Sequence, residues 1–379
     1  MNLLSKLKHR LFGGYYRRFG YPVVTCGEAH SPQRALLSYL SLGMRWGSRD
    51  PRFMWHQNLR QSRTLALLLA ERGYYVDVVQ YDDAKFIPTA SYDLVVSHPG
   101  IVSNRIRGIP RTGIRLCLRT GRHASFIDEA LADRYALLRQ RRASGLTWPG
   151  MGETNEVYNG YDAIACFDGN GGAVATFKDV GVPVYPFRNH ANPDIDFVPK
   201  DYRMARSGFL YMASHLPVLK GLDWLIEAFA DTPGRHLYIC GTVSDEIKHL
   251  YAHELNKVHI HSVGHVQFGS ARFRDLCRHA AWYVSPSASE GCQGTALDWM
   301  AAGLVPILSD ACGVDTQGAG IRIAPCTPDS LRAVLDAAER VSWADVEGLS
   351  CQARDCVESR YAVRHFVEDW NSILDRVGA

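Results

Sequence analysis

The stretch from Ser285 to Asp315, SPSASEGCQGTALDWMAAGLVPILSDACGVD, limits the fold more than any other part of the chain. A short apolar run, Ala281 to Val284, precedes it and reads as a buried strand. A polar loop then runs from Ser285 to Gln293. A short helix follows from Gly294 to Ala302, with Gly303 as its stop. The apolar run Leu304 to Leu308 reads as the next strand. Strand, loop, helix and strand in this order form a crossover unit of a parallel sheet. Glycines 291 and 294 let another group approach the backbone closely. The free N–H groups and positive dipole end of the helix face the same loop, which favours an anion such as phosphate. Glu290 in the loop and Asp298 in the helix add carboxylates, which accept hydrogen bonds from hydroxyls. Phosphate beside a polyol describes a nucleotide sugar. By spacing alone, the same residues also fit an ordinary crossover with one solvated acid and one capping acid.

The rest of the chain repeats this strand–helix rhythm twice. In the first half, strands are predicted at Pro22 to Cys26, Tyr75 to Tyr81, Asp93 to Ser97, Ile114 to Leu118, Ala163 to Phe167 and Val182 to Phe187. Helices are predicted over Gln57 to Glu71 and Ala124 to Arg142. Between Asn189 and Ser207 the sequence becomes polar and proline-bearing, as a linker would. Strands at Gly208 to Met212, His236 to Cys240 and Val258 to Val263 then follow, with helices at Gly221 to Ala230 and Ala271 to Ala280. The expected architecture is α/β, with two Rossmann-like doubly wound domains facing a cleft. The expected parts are an N-terminal segment 1–20, a first domain 21–200, a second domain 201–358, and a C-terminal helix in 359–379 that packs back on the first domain.

Composition excludes several classes. A chain of 379 residues with 46% hydrophobic content has room for two packed cores. A net charge of +3 does not call for nucleic acid. The ten cysteines are scattered singly, without a C-x-x-C pair, and several sit in apolar runs, so buried thiols in a reducing compartment are expected. No apolar run is long enough to cross a bilayer. Residues 1–20 carry Lys6, Lys8, Arg10, Arg17 and Arg18 and no acid, with Leu3, Leu7 and Leu11 on one helical face. That pattern fits an interfacial helix on an anionic membrane surface, or an extension packed on the domain.

The segment EGCQGTALDWMAAGLVPILSDACGVD resembles the signature of the family 4 (group 1) glycosyltransferases. FLYMASHLPVLKGLDWLIEAF is similar to the first strand, loop and helix of that family's nucleotide-binding domain, with Lys220-Gly221 as its Lys-Gly pair. The glycine at 241, the VHIHSVGHV strand and turn, and an aromatic helix from Tyr361 to Leu374 also fit. The likeness covers most of residues 207–379. The first half matches only in style, through GYYVDVVQYDD and LRTGRHAS.

The resemblance implies a GT-B fold and transfer of a sugar, with retention of configuration, from a nucleotide-diphosphate sugar to a glycan or lipid-linked acceptor. Polysaccharide or glycoconjugate biosynthesis is the implied setting, in the cytoplasm or on the inner face of the membrane. It assigns Glu290 to the donor sugar's hydroxyls, and Gly291, Cys292, Gln293, Gly294 and Thr295 to the sugar and phosphates. Asp298 goes to the ribose hydroxyls and Lys220 to the diphosphate leaving group, with no obligatory metal or other cofactor. Two positions depart from the family. Asp298 stands where glutamate is usual, and Ser214-His215 stands where Gly-Arg or Gly-Lys is usual, which leaves His215 as the second donor-side cation.

In the first half His123, within LRTGRHAS, is the candidate catalytic histidine near the transferred sugar, and His98 is its rival. Either also fits a histidine satisfied by local hydrogen bonds. Arg119 and Arg122 beside His123 suit a phosphorylated acceptor or an ordinary surface. His259 and His261 fall on one strand face with His265 nearby, but no acid or cysteine completes a metal set. Two other readings of the chain are a GT-B-shaped sugar-nucleotide epimerase and a non-catalytic sugar-nucleotide-binding homologue.

Overall fold

The computed structural model describes residues 21–107, 113–212 and 215–379. The basic segment 1–20 and Ser214 therefore lie outside the described residues. The first sheet has seven strands: β1 (Val24–Cys26), β2 (Gln33–Tyr39), β3 (Tyr74–Gln80), β4 (Leu94–Ser97), β5 (Ile114–Arg119), β6 (Ala163–Phe167) and β7 (Val184–Phe187). Their spatial order is β1-β3-β2-β4-β5-β6-β7, and only the edge strand β1 runs antiparallel to its neighbour. Helices α1 (Gln57–Glu71), α2 (Ile101–Arg107) and α3 (Ala124–Arg141) belong to this half.

The second sheet has six parallel strands: β8 (Gly208–Met212), β9 (His236–Cys240), β10 (Ile260–Gly264), β11 (Trp282–Ser285), β12 (Val305–Ser309) and β13 (Ile321–Ile323). Their order is β10-β9-β8-β11-β12-β13. Helices α4 (Leu222–Phe229), α5 (Ala271–His279), α6 (Gly294–Ala301), α7 (Pro328–Arg340), α8 (Trp343–Arg360) and α9 (Val363–Val377) complete it. Chain order reverses between β2 and β4 in the first sheet and between β8 and β11 in the second. Such reversals open a crevice beyond the strands' carboxyl ends, where ligands of doubly wound sheets bind.

Both sheets are covered on both faces, so their strands read as continuous apolar runs. Strand β2 was not expected from the sequence: QRALLSY opens with two polar residues, yet its last five residues are buried at the centre of the sheet. The polar segment that follows β7 is not a surface loop. Asn189, His190, Asn192, Ile195 and Val198 are buried, because the segment crosses between the two domains rather than over the surface.

The C-terminal helix returns to the first domain as expected. Asp369 accepts two bonds from the Arg188 guanidinium, at 2.8 and 2.6 Å, and Arg72 donates to Asn371 at 3.1 Å and to Asp375 at 2.8 Å. Phe366 and Trp370 pack against Phe187 at the end of β7. All ten cysteines are free and seven are buried. Among the described residues no helix is long and apolar enough to cross a membrane.

Candidate functional site: the interdomain cleft

The loops that follow β8 and β11 deliver the first pair of the site. Lys220 is presented by a turn that ends at Gly221, whose φ of 75° opens α4 in the left-handed region. Pro286 fills the space where a Gly221 Cβ would sit, which makes glycine obligatory there. Glu290 hangs on the β11–α6 loop, its backbone N–H donating to Ala311 O at 2.9 Å. The two side chains meet: Lys220 Nζ lies 3.0 Å from Glu290 Oε1. Gln293 Nε2 donates to the same carboxylate oxygen at 3.2 Å and to Ser285 Oγ at 3.0 Å. Both members of the ion pair remain partly open to water. His215, on the same loop as Lys220, is exposed.

The other residues expected at the donor site also have local partners. Cys292 is buried, and its carbonyl accepts from Asn189 Nδ2 at 2.9 Å. Thr295 Oγ1 lies 3.3 Å from the Tyr283 hydroxyl. Asp298 is 4% exposed and accepts from Asn192 N at 2.7 Å. Burial pushes its carboxyl up to about 7, against the opposing Asn192 bond and the nearby Arg60 charge. The shorter acid thus ties α6 to the crossing segment.

The first domain closes over this loop at close range. Arg122 Nε donates to Glu290 O at 3.0 Å, and Asn170 Nδ2 donates to Asp310 O at 2.9 Å. A Cβ on Gly291 would lie 2.9 Å from Thr120 O and 3.0 Å from Phe167 O, and one on Gly169 would lie 2.4 Å from Gly313 O. Backbone therefore meets backbone across the domains. Gly169→Ala is expected to wedge the cleft open without straining its own turn. Overpacking of this kind costs about 1–3 kcal/mol, or about tenfold in any activity that needs closure. A larger radius of gyration in solution scattering, with wild-type secondary structure, would identify the wedge.

On the other flank, α3 grips α4. Arg134 Nη2 donates to Pro286 O at 2.6 Å while its guanidinium lies 3.3 Å over the Trp224 ring. Arg141 bonds Asp223 at 2.5 Å and Glu227 at 2.9 Å, and Arg142 bonds Glu254 at 2.5 Å.

The two candidate histidines of the first domain separate. His98 is satisfied locally: Nδ1 pairs with Pro99 O at 2.9 Å, Nε2 lies 3.4 Å from Thr120 Oγ1, and the ring stacks on Tyr39. Burial and the Arg119 charge push it down to about 4, so it is neutral. His123 caps α3 through Nδ1 and packs its ring among Tyr158 and Phe177. It is 6% exposed, and its Nε2 has no hydrogen-bond partner. From this turn it is Arg122, not His123, that reaches the Glu290 loop. Arg119 pairs with Glu153 at 2.9 Å.

The strand histidines are also engaged. His259 Nε2 meets Phe229 O at 2.7 Å, and His261 Nε2 lies 3.1 Å from His236 Nδ1. Among the described residues no group of three side chains is placed to hold a metal ion.

The sequence reading missed His56, which ends the long loop after β2. It caps α1 by accepting from Asn58 N at 3.2 Å, is exposed, and lies within electrostatic reach of His215 and Lys220. Only the chain reversal between β2 and β4 carries it there; no local motif marks it.

Residues 206–340 match the family model described as Glycosyl transferases group 1. No curated protein matches by sequence. Among solved structures, sucrose-phosphate synthase from Thermosynechococcus elongatus is 14% identical with a TM-score of 0.64, the alignment covering 91% of this chain and 98% of that one. HepE from Anabaena, solved with UDP and glucose, is 12% identical with a TM-score of 0.57, over 91% and 100%. WaaG, a glycosyltransferase of lipopolysaccharide biosynthesis, is 15% identical with a TM-score of 0.54, over 90% and 99%. At such identities the structural likeness concerns the fold, and the assignment rests on the family match together with the paired sheets. Residues 206–340 are similar to the group 1 glycosyltransferases and lie within the second of two Rossmann-like domains in a GT-B fold.

Proposed function

We propose that this protein transfers a sugar from a nucleotide-diphosphate sugar to a glycan or lipid-linked acceptor, with retention of anomeric configuration, in polysaccharide or glycoconjugate biosynthesis. The observation that carries this reading is the Lys220–Glu290 pair, 3.0 Å apart at the switch point of the second sheet and faced by the first domain. HepE with UDP and glucose, and WaaG in lipopolysaccharide synthesis, are consistent with the substrate class.

In this reading Glu290 accepts hydrogen bonds from the sugar's hydroxyls, and its partner Lys220 faces the diphosphate. Breaking the anomeric bond moves an electron pair onto the diphosphate oxygen. The Lys220 ammonium, with the His215 imidazole on the same loop, stabilises that charge without a metal. The acceptor hydroxyl attacks from the leaving-group face and its proton passes to the departing diphosphate, so no protein nucleophile is needed. Asp298 takes a ribose hydroxyl while holding Asn192. Residues 1–20 place the enzyme on the anionic inner face of a membrane, near a lipid-linked acceptor.

A panel of UDP-glucose, GDP-mannose and ADP-glucose tests this reading by thermal shift. One member is expected to raise the melting temperature by several degrees, because a ligand at about 100 times its Kd adds about 2.7 kcal/mol. No shift with any nucleotide sugar or nucleoside diphosphate would overturn the reading. Release of nucleoside diphosphate at one rate with and without acceptor would redirect it to an epimerase.

A further inference from the structure

Arg134 projects from α3 of the first domain and is buried in the second, with 4% of its surface exposed. Nη2 donates to Pro286 O at 2.6 Å and lies 3.4 Å from Cys326 Sγ, while the guanidinium lies 3.3 Å over the Trp224 ring. Nη1 is buried without a hydrogen-bond partner. Among the described residues no carboxylate bonds Arg134; Asp223, on the same helix as Trp224, is bonded to Arg141. Burial holds the guanidinium below the ordinary arginine value. A buried cation without a bonded anion is a poor source of stability.

Its contacts lie on the two loops that carry Lys220 and Glu290. Pro286 opens the loop that leads to Glu290, and Trp224 lies in α4, the helix that Lys220 and Gly221 precede. The two loops are already joined: Ala288 N donates to Leu219 O at 2.9 Å, and Pro286 occupies the space where a Gly221 Cβ would sit. Lys220 N donates to Leu216 O at 3.1 Å, and Leu216 holds a φ of 51°. A leucine in the left-handed region persists only where its surroundings hold it. Arg134 spans both loops from the side of the first domain, bonding the turn before Glu290 with its planar fork and covering the helix after Lys220 with its face. Leu138, one turn further along α3, is fully buried in an apolar cluster of the second domain. The arginine therefore arrives as part of a docked helix.

We propose that Arg134 is a positioning residue for the transfer reaction: by bracing Pro286 O against Trp224 it sets the 3.0 Å approach of Lys220 to Glu290, so that the leaving-group site is complete only with the first domain docked. The inference rests on the proposed transfer, with Lys220 as the cation that faces the leaving group. Arg134 touches no reacting atom and acts through the loops it holds. A misplacement of about 1 Å in a group that faces the breaking bond costs about 10²-fold in rate.

Arg134→Met keeps the length and the packing on Trp224 and removes the charge and the donor. With the nucleotide sugar of the panel that binds, it is expected to lower kcat about 10–100-fold and to leave the KM for that donor within about twofold. It should melt within a few degrees of wild type, because the buried charge it removes was poorly compensated. Arg134→Lys keeps a donor for Pro286 O without the flat stack and should recover part of the rate. The same substitution is then measured in the Lys220→Ala background. There Arg134→Met is expected to cost no more than about twofold further, since a residue that acts through Lys220 has nothing left to position. The full loss in that background would overturn the inference, and so would a wild-type kcat in Arg134→Met alone. If Arg134→Met does not fold, Arg134→Lys takes its place in the cycle and is read by the same rule. No release of nucleoside diphosphate by the wild type with any donor of the panel would remove the transfer reading itself, and the inference with it.

Discussion

Lys220→Ala is expected to lower the transfer rate about 10²–10³-fold, the effect of removing one fixed stabiliser of transition-state charge. The loss should fall on kcat more than on KM, because the diphosphate's charge grows only as the anomeric bond breaks. A second consequence follows from the 3.0 Å contact with Glu290. Without the ammonium, that carboxylate keeps only the Gln293 donor and the long 3.5 Å Ser287 contact. It then faces the diphosphate as an unneutralised anion. Lys220→Arg keeps the charge but changes its reach, and should recover part of the rate. Steady-state kinetics with saturating acceptor separates the two parameters. A Lys220→Ala enzyme with wild-type kcat would remove Lys220 from the leaving-group site.

Arg141→Ala is expected to cost about 3–5 kcal/mol of stability near neutral pH, the usual effect of stranding one partner of a buried ion pair. Its partner Asp223 is fully buried, and the Oδ1 atom has no hydrogen-bond partner. Burial pushes the Asp223 carboxyl up to about 6, even with Arg141 and Arg134 opposing. A carboxyl whose folded value is raised contributes stability at low pH and loses it as pH climbs through that folded value. Losing Arg141 lifts the folded value further and extends the loss to higher pH. The penalty should therefore be largest above pH 7 and shrink toward pH 4, where Asp223 is protonated in either protein. Urea melts at the two pH values measure this, and Asp223→Asn in the Arg141→Ala background should restore most of the difference. A penalty independent of pH would assign the effect to lost packing of the arginine instead.

How much was legible before folding depended on the range of the interaction. The strand–loop–helix–strand unit around Glu290, the Gly303 stop and the C-terminal helix were readable, because each is decided within a few residues by periodicity, glycine conformation and helix caps. Strand β2 escaped because Gln33 and Arg34 mask a run whose burial comes from its neighbours on both sides. The side-chain partners of the signature residues were not readable at all. Glu290 finds Lys220 seventy positions away, Asp298 finds the crossing segment at Asn192, and Arg122 rather than His123 touches the donor loop. His56 comes within electrostatic reach of Lys220 and His215 from a loop with no motif, because the strand order of the first sheet sets where that loop ends. The sequence by itself determined two doubly wound sheets and the glycine-bearing loop with its two acids, because these are written in local patterns. The tertiary structure alone decided which charges meet across the cleft, because such meetings depend on strand order and on glycines that let two backbones touch.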